Sequence, residues 1–177
     1  MNIVSPTYTT NHAMPGMTFC PKCASRLEDR TIEGKVRPAC TACDFIFYRD
    51  PKPVAGVFAW KDGKLLLVQR GNEPKRGLWS FPTGYMDIGD TAEETAIREA
   101  QEEANVAVRL ERLLGVYSNE RHTVVLIVYV GAIVSGEPAG GAEALDARLF
   151  APKALPELAF EHDYRILADM FENQPRS

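Results

Sequence analysis

The sequence predicts a fold of the α+β class, an α/β/α sandwich with a mixed β-sheet between helices, preceded by a small cysteine-containing module. Strand-like segments surround two well-separated segments of helical apolar spacing, which is the pattern of a sheet covered by helices. All four cysteines lie between residues 20 and 43. The 177 residues suffice for one domain of about 130 residues and a small accessory module.

Composition divides the chain into three parts. Residues 1–16 are polar and without periodicity, so we expect a flexible N-terminus. Residues 17–50 contain the cysteines and too few large aliphatic side chains for an independent core. A linker is predicted at residues 50–53, because two prolines restrict its backbone. Residues 51–177 form the predicted main domain.

The main domain begins with a predicted β-hairpin and a helix. Residues 54–60 and 64–70 are strand-like, and Asp62-Gly63 between them suits a two-residue turn. After a loop, residues 91–104 predict a helix with Asp90 or Thr91 as N-cap. Asn105 suits the left-handed position that ends a helix.

The rest of the main domain is predicted as three strands and a closing helix. Residues 106–118, 123–134 and 146–150 are strand-like, the second as a buried run. Residues 160–173 predict an amphipathic helix whose apolar positions are Tyr164, Leu167, Ala168 and Phe171.

Composition and charge exclude several classes of protein. Hydrophobic residues make up 45% and charged residues 25% of the chain, which excludes a mostly disordered or fibrous protein. The net charge of −4 gives no general attraction to nucleic acid or to an anionic membrane. The longest apolar run, residues 124–134, is too short to cross a bilayer. The first 16 residues lack a secretory signal, so a soluble, cytoplasmic protein is expected.

The four cysteines have the spacing of a zinc site. Cys20 and Cys23 form one C-x2-C pair, and Cys40 and Cys43 form a second. Four converging thiolates would complete a closed, structural zinc shell. The alternative is a pair of disulfides or unrelated thiols, which a reducing compartment disfavours. The segment resembles zinc ribbons, although Ala24 and Asp44 stand where these often carry glycine.

The predicted helix after residue 90 carries a strong concentration of acids. Residues 87–103 contain seven acidic residues and one basic residue, so we expect a cationic ligand there. Glu99, Glu102 and Glu103 share one helix face. Such a face can be merely solvated, but the opposite face is small and apolar, with alanines at residues 92, 96, 100 and 104. Hard oxygen ligands that converge beside a glycine turn suit Mg²⁺.

This segment resembles the Nudix box, G-x5-E-x7-R-E-U-x-E-E-x-G-U, in which U is aliphatic. The positions that match in register are Gly84, Arg98, Glu99, Glu102, Glu103 and Val106. Asp90 replaces the first glutamate, Ala100 the aliphatic residue and Asn105 the last glycine. The likeness covers about residues 52–173 and implies the Nudix fold for the main domain, residues 51–177.

A more specific resemblance extends over nearly the whole chain. A zinc ribbon over residues 17–50 joined to a Nudix domain is similar to zinc-ribbon Nudix hydrolases of the FAD and ADP-ribose pyrophosphatase type. NADH pyrophosphatases share this organisation, but their signature SQPWPFPxS after the box is missing here. The proline often found after the box in ADP-ribose pyrophosphatases is also absent.

The resemblance implies hydrolysis of the pyrophosphate bond of a nucleoside diphosphate linked to another moiety, such as FAD, ADP-ribose or NADH. It implies catalytic Mg²⁺ or Mn²⁺ held by Glu99, Glu102 and Glu103, with the Thr83 carbonyl and Glu143 as additional ligands. Arg98 would position the carboxylates, with Glu94 and Glu102 as its neighbours along the helix. The general base is either Glu103 or Glu143, and Glu143 could alternatively be an ordinary loop acid.

Several residues are candidates to bind the base, sugar or phosphates, although each could instead belong to the core or surface. Arg70, Tyr85 and Trp79 are the selected substrate-binding residues. Arg70 and Tyr85 lie beside the matched motif, and Trp79 could stack on a ring. Further candidates for a ring or a phosphate are Tyr117, Phe160, Arg76 and Arg121.

Two other functions remain open at this point. The chain could hydrolyse modified nucleoside triphosphates, or it could be a Nudix-fold ligand-sensing module. The ribbon segment has six basic and five acidic residues, which does not make a nucleic-acid surface. The expected partner is therefore a small-molecule nucleotide, and a homodimer supported by the ribbon is a further alternative.

Overall fold

The computed structural model describes residues 17–119 and 123–172. The predicted flexible N-terminus and the candidate Arg121 lie outside the described residues. The chain divides into two compact units, residues 1–50 and 51–177. Within the described ranges, neither helix is long and apolar enough to span a lipid bilayer.

The first unit contains a two-stranded antiparallel hairpin, β1 (Leu27–Ile32) and β2 (Lys35–Cys40). The turn residues Glu33 and Gly34 have φ angles of 53° and 75°, as a tight two-residue turn requires. Sequence analysis did not predict these strands, because most of their side chains are exposed and show no alternation. The small core buries Cys20, Leu27 and Cys40.

The second unit contains the predicted sheet and helices. In chain order its elements are β3 (Lys52–Lys61), β4 (Lys64–Arg70), β5 (Trp79–Ser80), β6 (Thr83–Tyr85), α1 (Ala92–Ala104), β7 (Ala107–Tyr117), β8 (Val124–Ser135), β9 (Ala144–Phe150) and α2 (Glu161–Glu172).

These seven strands form one mixed sheet, as predicted. The strand order is β5-β4-β3-β8-β7, with β6 paired to β3 and β9 paired to β4. β3 and β8 run parallel from the Lys52–Val124 pair to the Trp60–Ala132 pair. The remaining pairs are antiparallel.

One helix covers each face of the sheet, which confirms the α/β/α sandwich. Alternate β3 residues point to opposite faces, so Val57 packs on the α1 side and Phe58 on the α2 side. The α1 side is closed by the predicted alanine stripe, in which Ala96, Ala100 and Ala104 are fully buried. These small side chains let α1 lie close to the sheet.

Local signals for turns and helix ends are confirmed. Asp62 and Gly63 both have positive φ angles, as the two-residue turn between β3 and β4 requires. Thr91 is the N-cap of α1, and its hydroxyl accepts a hydrogen bond from the Glu94 N–H. Asn105 ends the helix in the left-handed conformation, with φ 57°.

The linker prediction at residues 50–53 is wrong for its second half. Lys52 and Pro53 are the first residues of β3, and they pair with Val124 and Val125 of β8. The Pro53 carbonyl also accepts a hydrogen bond from the Met86 N–H. Proline is tolerated there because it stands at the beginning of a strand.

The predicted apolar face of α2 is also wrong in part. Tyr164 and Phe171 are half-exposed, and Ala168 is exposed. The buried face lies at a different angle around the helix from the predicted one and includes an acidic side chain, which a search for apolar spacing does not find. Its residues are Asp163, Ile166, Leu167 and Met170.

Asp163 fastens the first turn of α2 to the sheet. Its side chain is buried, and Oδ2 accepts a hydrogen bond of 3.2 Å from the Ser80 hydroxyl in β5. The backbone beside it is joined to the same strand, since the Ala159 N–H donates to the Trp79 carbonyl at 2.7 Å. Burial raises the pKa of Asp163 to about 7, although Ser80 opposes this shift.

The substitution Asp163→Asn should change how stability depends on pH. The folded protein holds a proton on Asp163 up to about pH 7, whereas the unfolded chain releases it near pH 3.8. Wild-type stability should therefore fall as the pH rises between these values. Asparagine removes this loss, so the free energy of unfolding above pH 8 should rise by up to about 4 kcal/mol. This value follows from a shift of about three pKa units at about 1.4 kcal/mol each.

Urea unfolding of both proteins between pH 4 and pH 8.5 measures this difference. The exposed residue Asp87 of the same unit provides the control Asp87→Asn, which should follow the wild type. If the free energy of unfolding depended on pH in the same way for wild type and Asp163→Asn, a protonated Asp163 in the folded protein would be contradicted.

Candidate active site

Arg98 lies at the centre of the acidic side of α1. Its Nη1 donates hydrogen bonds to Glu99 Oε1 at 2.8 Å and to Glu102 Oε2 at 3.0 Å. Its Nη2 donates to the Tyr85 carbonyl at 3.2 Å, which ties the helix to β6. Nε lies 3.8 Å from Asp90 Oδ2. One guanidinium thus orients two carboxylates and one backbone carbonyl.

The expected contact between Arg98 and Glu94 is not formed. Glu94 does not contact the guanidinium but accepts a hydrogen bond from the Thr91 N–H at 2.9 Å. Glu94 and the Thr91 hydroxyl together form a capping box. The Glu94 carboxylate is therefore bonded to the N-cap residue and not to Arg98. These hydrogen bonds hold the pKa of Glu94 below its usual value.

Glu99 is buried under the backbone of β6. Its side chain is only 12% exposed. A Cβ atom on Gly84 would lie 2.1 Å from Glu99 Oε1, so only glycine leaves space for this carboxylate. Burial raises the pKa of Glu99, and the Arg98 guanidinium counteracts this rise.

Glu103 lies beside Glu99 on the sheet-facing side. Its Oε2 accepts a hydrogen bond of 2.9 Å from the Thr83 N–H. Burial raises the pKa of Glu103 to about 7, and the nearby charges of Glu99 and Glu143 add to the rise. The Thr83 N–H and the Arg70 guanidinium oppose it.

Glu143 comes from a distant part of the sequence, just before β9. Its charge adds to the rise in the pKa of both Glu99 and Glu103. Two residues earlier, the Gly141 N–H donates a hydrogen bond to the Glu103 carbonyl at 3.0 Å. Asn72 Nδ2 donates a hydrogen bond to Glu143 Oε2 at 3.3 Å. Sequence analysis did not single out Asn72, because a lone loop asparagine carries no motif.

The acidic residues differ in their surroundings more than the helix pattern suggests. Glu99 and Glu103 face the sheet, while the Glu102 side chain is 57% exposed and is held by Arg98. Carboxylates that repel one another and resist ionisation are stabilised by a hard divalent cation. Glu99, Glu102, Glu103 and Glu143 are the acids that could hold one. Among the described residues only the four cysteines bring their ligand atoms within 4.8 Å of one another.

The selected substrate-binding residues lie in different environments. Arg70 Nε donates to the Pro74 carbonyl at 3.1 Å, and its guanidinium lies over the Phe160 ring, 5.0 Å from the centroid. Tyr85 is 57% exposed beside α1. Trp79 instead packs edge-to-face on Phe150 within the core on the α2 side.

The four cysteines of the first unit converge. Their sulfur atoms lie within 4.8 Å of one another, and Cys23 and Cys40 are 3.4 Å apart. None of the four is in a disulfide. These separations are close to the edge of a tetrahedron with 2.3 Å metal–sulfur bonds, about 3.8 Å. Ala24 follows the second cysteine with φ 58°, a conformation that favours glycine.

Comparisons with known proteins agree with this geometry. Residues 50–170 match the NUDIX domain family, and residues 18–49 match the zinc ribbon described as Nudix N-terminal. An ADP-ribose pyrophosphatase of Methanocaldococcus jannaschii is 38% identical over 126 residues, which are 69% of this chain and 74% of that protein.

Two further relatives cover both units. An NAD-capped RNA hydrolase NudC of Vibrio atlanticus is 27% identical over 89% of this chain, which spans only 58% of that protein. The crystal structure of a NUDIX hydrolase from Nitrosomonas europaea has a TM-score of 0.82 and 31% identity, covering 90% of this chain and 95% of that one. The chain therefore belongs to the Nudix hydrolase family and carries the Nudix N-terminal zinc ribbon ahead of its hydrolase domain.

Proposed function

We propose that this protein is an Mg²⁺- or Mn²⁺-dependent pyrophosphohydrolase that cleaves a nucleoside diphosphate linked to another moiety. The observation that carries the proposal is the carboxylate group of α1, in which Arg98 bonds Glu99 and Glu102 and the Thr83 N–H bonds Glu103. Their burial and mutual repulsion raise the pKa values of Glu99 and Glu103, as expected for a site that a divalent cation completes.

Two relatives are named for substrates that have one chemical group in common, and this group suggests the substrate class. One is named for ADP-ribose and another for NAD-capped RNA. Both compounds contain an adenosine whose diphosphate is linked to a second group. ADP-ribose and NADH are therefore the first candidates here, and FAD has the same linkage.

We assign the cation ligands to Glu99, Glu102 and Glu103, with Glu143 and the Thr83 carbonyl as additional ligands. A bound divalent cation neutralises the diphosphate and lowers the pKa of water. Arg98 keeps Glu99 and Glu102 oriented, because it binds both carboxylates.

The attacking water must lose a proton as it adds to phosphorus. Glu103 is partly buried beside β6, whereas Glu143 is exposed and accessible to water. We therefore assign proton removal to Glu143, with Glu103 as the second candidate. The phosphate-bearing fragment then leaves.

Arg70 and Tyr85 are our candidates for the substrate phosphates and ring. Arg70 lies close enough to lower the pKa of Glu103, and Tyr85 is exposed next to Arg98. Trp79 is a weaker candidate, because its ring is engaged with Phe150.

A panel of ADP-ribose, NADH, FAD, diadenosine polyphosphates and nucleoside triphosphates, with Mg²⁺ or Mn²⁺, tests the reaction and the substrate. Glu103→Gln should lower kcat by about 10²–10⁴-fold, since it removes one negative charge from the site. Glu102→Gln should also lower it. Neither change should lower the melting temperature, and Glu103→Gln should raise it at pH values above 7, because it removes a charge that burial makes costly.

The control for this panel is Glu137→Gln, because Glu137 is an exposed acid that pairs with Lys61 at the end of β3. Hydrolysis of triphosphates alone would favour the modified-nucleotide function. Binding without turnover would favour a sensor, and full activity in both glutamine variants would refute the site.

Arg98→Lys tests the positioning role. Lysine keeps the charge but cannot bond Glu99, Glu102 and the Tyr85 carbonyl together. We expect kcat to fall by about 10–100-fold, as for other residues that orient metal ligands. Arg109→Lys is the matched control, because the Arg109 side chain is exposed and forms an ion pair with Glu111 at 3.4 Å. Equal activity of Arg98→Lys and Arg109→Lys would contradict the proposal that Arg98 positions the carboxylates.

We propose that Cys20, Cys23, Cys40 and Cys43 bind one structural Zn²⁺. Backbone N–H groups support the thiolates, as that of Lys22 donates to Cys20 Sγ at 3.3 Å. A closed four-thiolate shell leaves no position for a substrate, so the ion stabilises the fold. Unpaired thiols suit a reducing compartment, and we propose the cytoplasm.

Elemental analysis of protein purified under reducing conditions should give one zinc per chain. Cys40→Ser should lose it, because Cys40 is buried among the ligands. The isosteric control Ser118→Cys adds a thiol elsewhere and should not change the stoichiometry. Wild-type protein without zinc would refute the site.

A further inference from the structure

The loop between β4 and β5 (residues 71–78) is held to β4 by side chains and backbone. Arg70 Nε donates to the Pro74 carbonyl at 3.1 Å, and Gln69 Nε2 donates to the Gly77 carbonyl at 2.8 Å. The Gly77 N–H donates to the Arg70 carbonyl, and the Arg70 N–H to the Leu78 carbonyl. The loop is therefore a fixed support for whatever it contacts.

This loop contacts Glu143 twice. The Gly71 N–H donates to the Glu143 carbonyl at 3.0 Å, and Asn72 Nδ2 donates to the Glu143 carboxylate at 3.3 Å. A Cβ atom on Gly71 would lie 2.5 Å from the Glu143 carbonyl oxygen, so this approach requires glycine. Backbone and side chain of Glu143 are thus held by neighbouring residues.

The segment that carries Glu143 is also attached to the end of α1. The Gly141 N–H donates to the Glu103 carbonyl at 3.0 Å, and the Ala139 N–H donates to the Ala104 carbonyl at 3.1 Å. These bonds fix the backbone before Glu143. They leave the direction of its carboxylate to its side-chain partner.

We propose that Asn72 is a positioning residue that fixes the direction of the Glu143 carboxylate. This inference rests on the proposed function, in which Glu143 takes the proton of the attacking water. An amide suits the task, because it donates a hydrogen bond without neutralising the carboxylate. A lysine would pair with the charge, and an aspartate would repel it.

A double-mutant cycle on the full-length enzyme tests this with ADP-ribose and saturating Mg²⁺. Asn72→Ala should lower kcat by about 10-fold, in the range found for residues that orient catalytic ligands, with little change in KM. In the Glu143→Ala background the same substitution should have no further effect, because its target is gone. Asn72→Asp should lower kcat more than Asn72→Ala does, and Asn72→Gln should keep part of the wild-type kcat.

Two measurements separate positioning from other roles. Glu73→Gln, a change of charge in the same loop, is the control and should keep wild-type kcat. In metal-free protein the ¹⁵N NMR signal of the Asn72 side-chain amide, identified by its loss in Asn72→Ala, should shift in Glu143→Ala. Equal melting temperatures of wild type and Asn72→Ala would exclude simple unfolding.

The outcomes are distinct. Additive losses in the double variant would mean that Asn72 contacts the substrate itself, and would overturn the inference. So would an unchanged kcat of Asn72→Ala in an enzyme that Glu143→Ala impairs, or an Asn72 amide signal that does not move. A wild-type protein that hydrolyses no compound of the panel would instead defeat the proposed function from which the inference starts.

Discussion

The Arg98 guanidinium provides the interaction on which the acidic side of the second unit depends. Glu99 and Glu103 are brought under a sheet edge, where burial makes their charges costly. Arg98 compensates this locally, because it bonds Glu99, Glu102 and the carbonyl of Tyr85. One side chain thus connects α1 with β6, and its charge counteracts the rise in the pKa of Glu99.

Close packing makes this electrostatic arrangement possible. The alanine stripe of α1 lets the helix approach the sheet, and Gly84 lets the backbone of β6 pass over the Glu99 carboxylate. A larger side chain at either place would increase the separation. The proposed site combines residues of a helix with one acid, Glu143, from a loop about 40 residues later in the sequence.

Local structure was predictable from the sequence because its signals are local. Asp62-Gly63, Thr91 and Asn105 each determine a turn or a helix end through their own backbone preferences. Asp163 and Asn72 were not predictable, because their roles depend on partners in distant elements. The ends of α1 therefore agree with the prediction, while the buried face of α2 does not.

The parallel pairing of β3 with β8 has a consequence for how the second unit folds. Lys52 and Val124 are paired across about 70 residues of chain, whereas β3 and β4 meet across a two-residue turn. Closing the longer segment costs more conformational entropy and slows the search for the native arrangement. The β3–β4 hairpin can thus form early, and we expect β8 to pair with β3 at a later stage of folding.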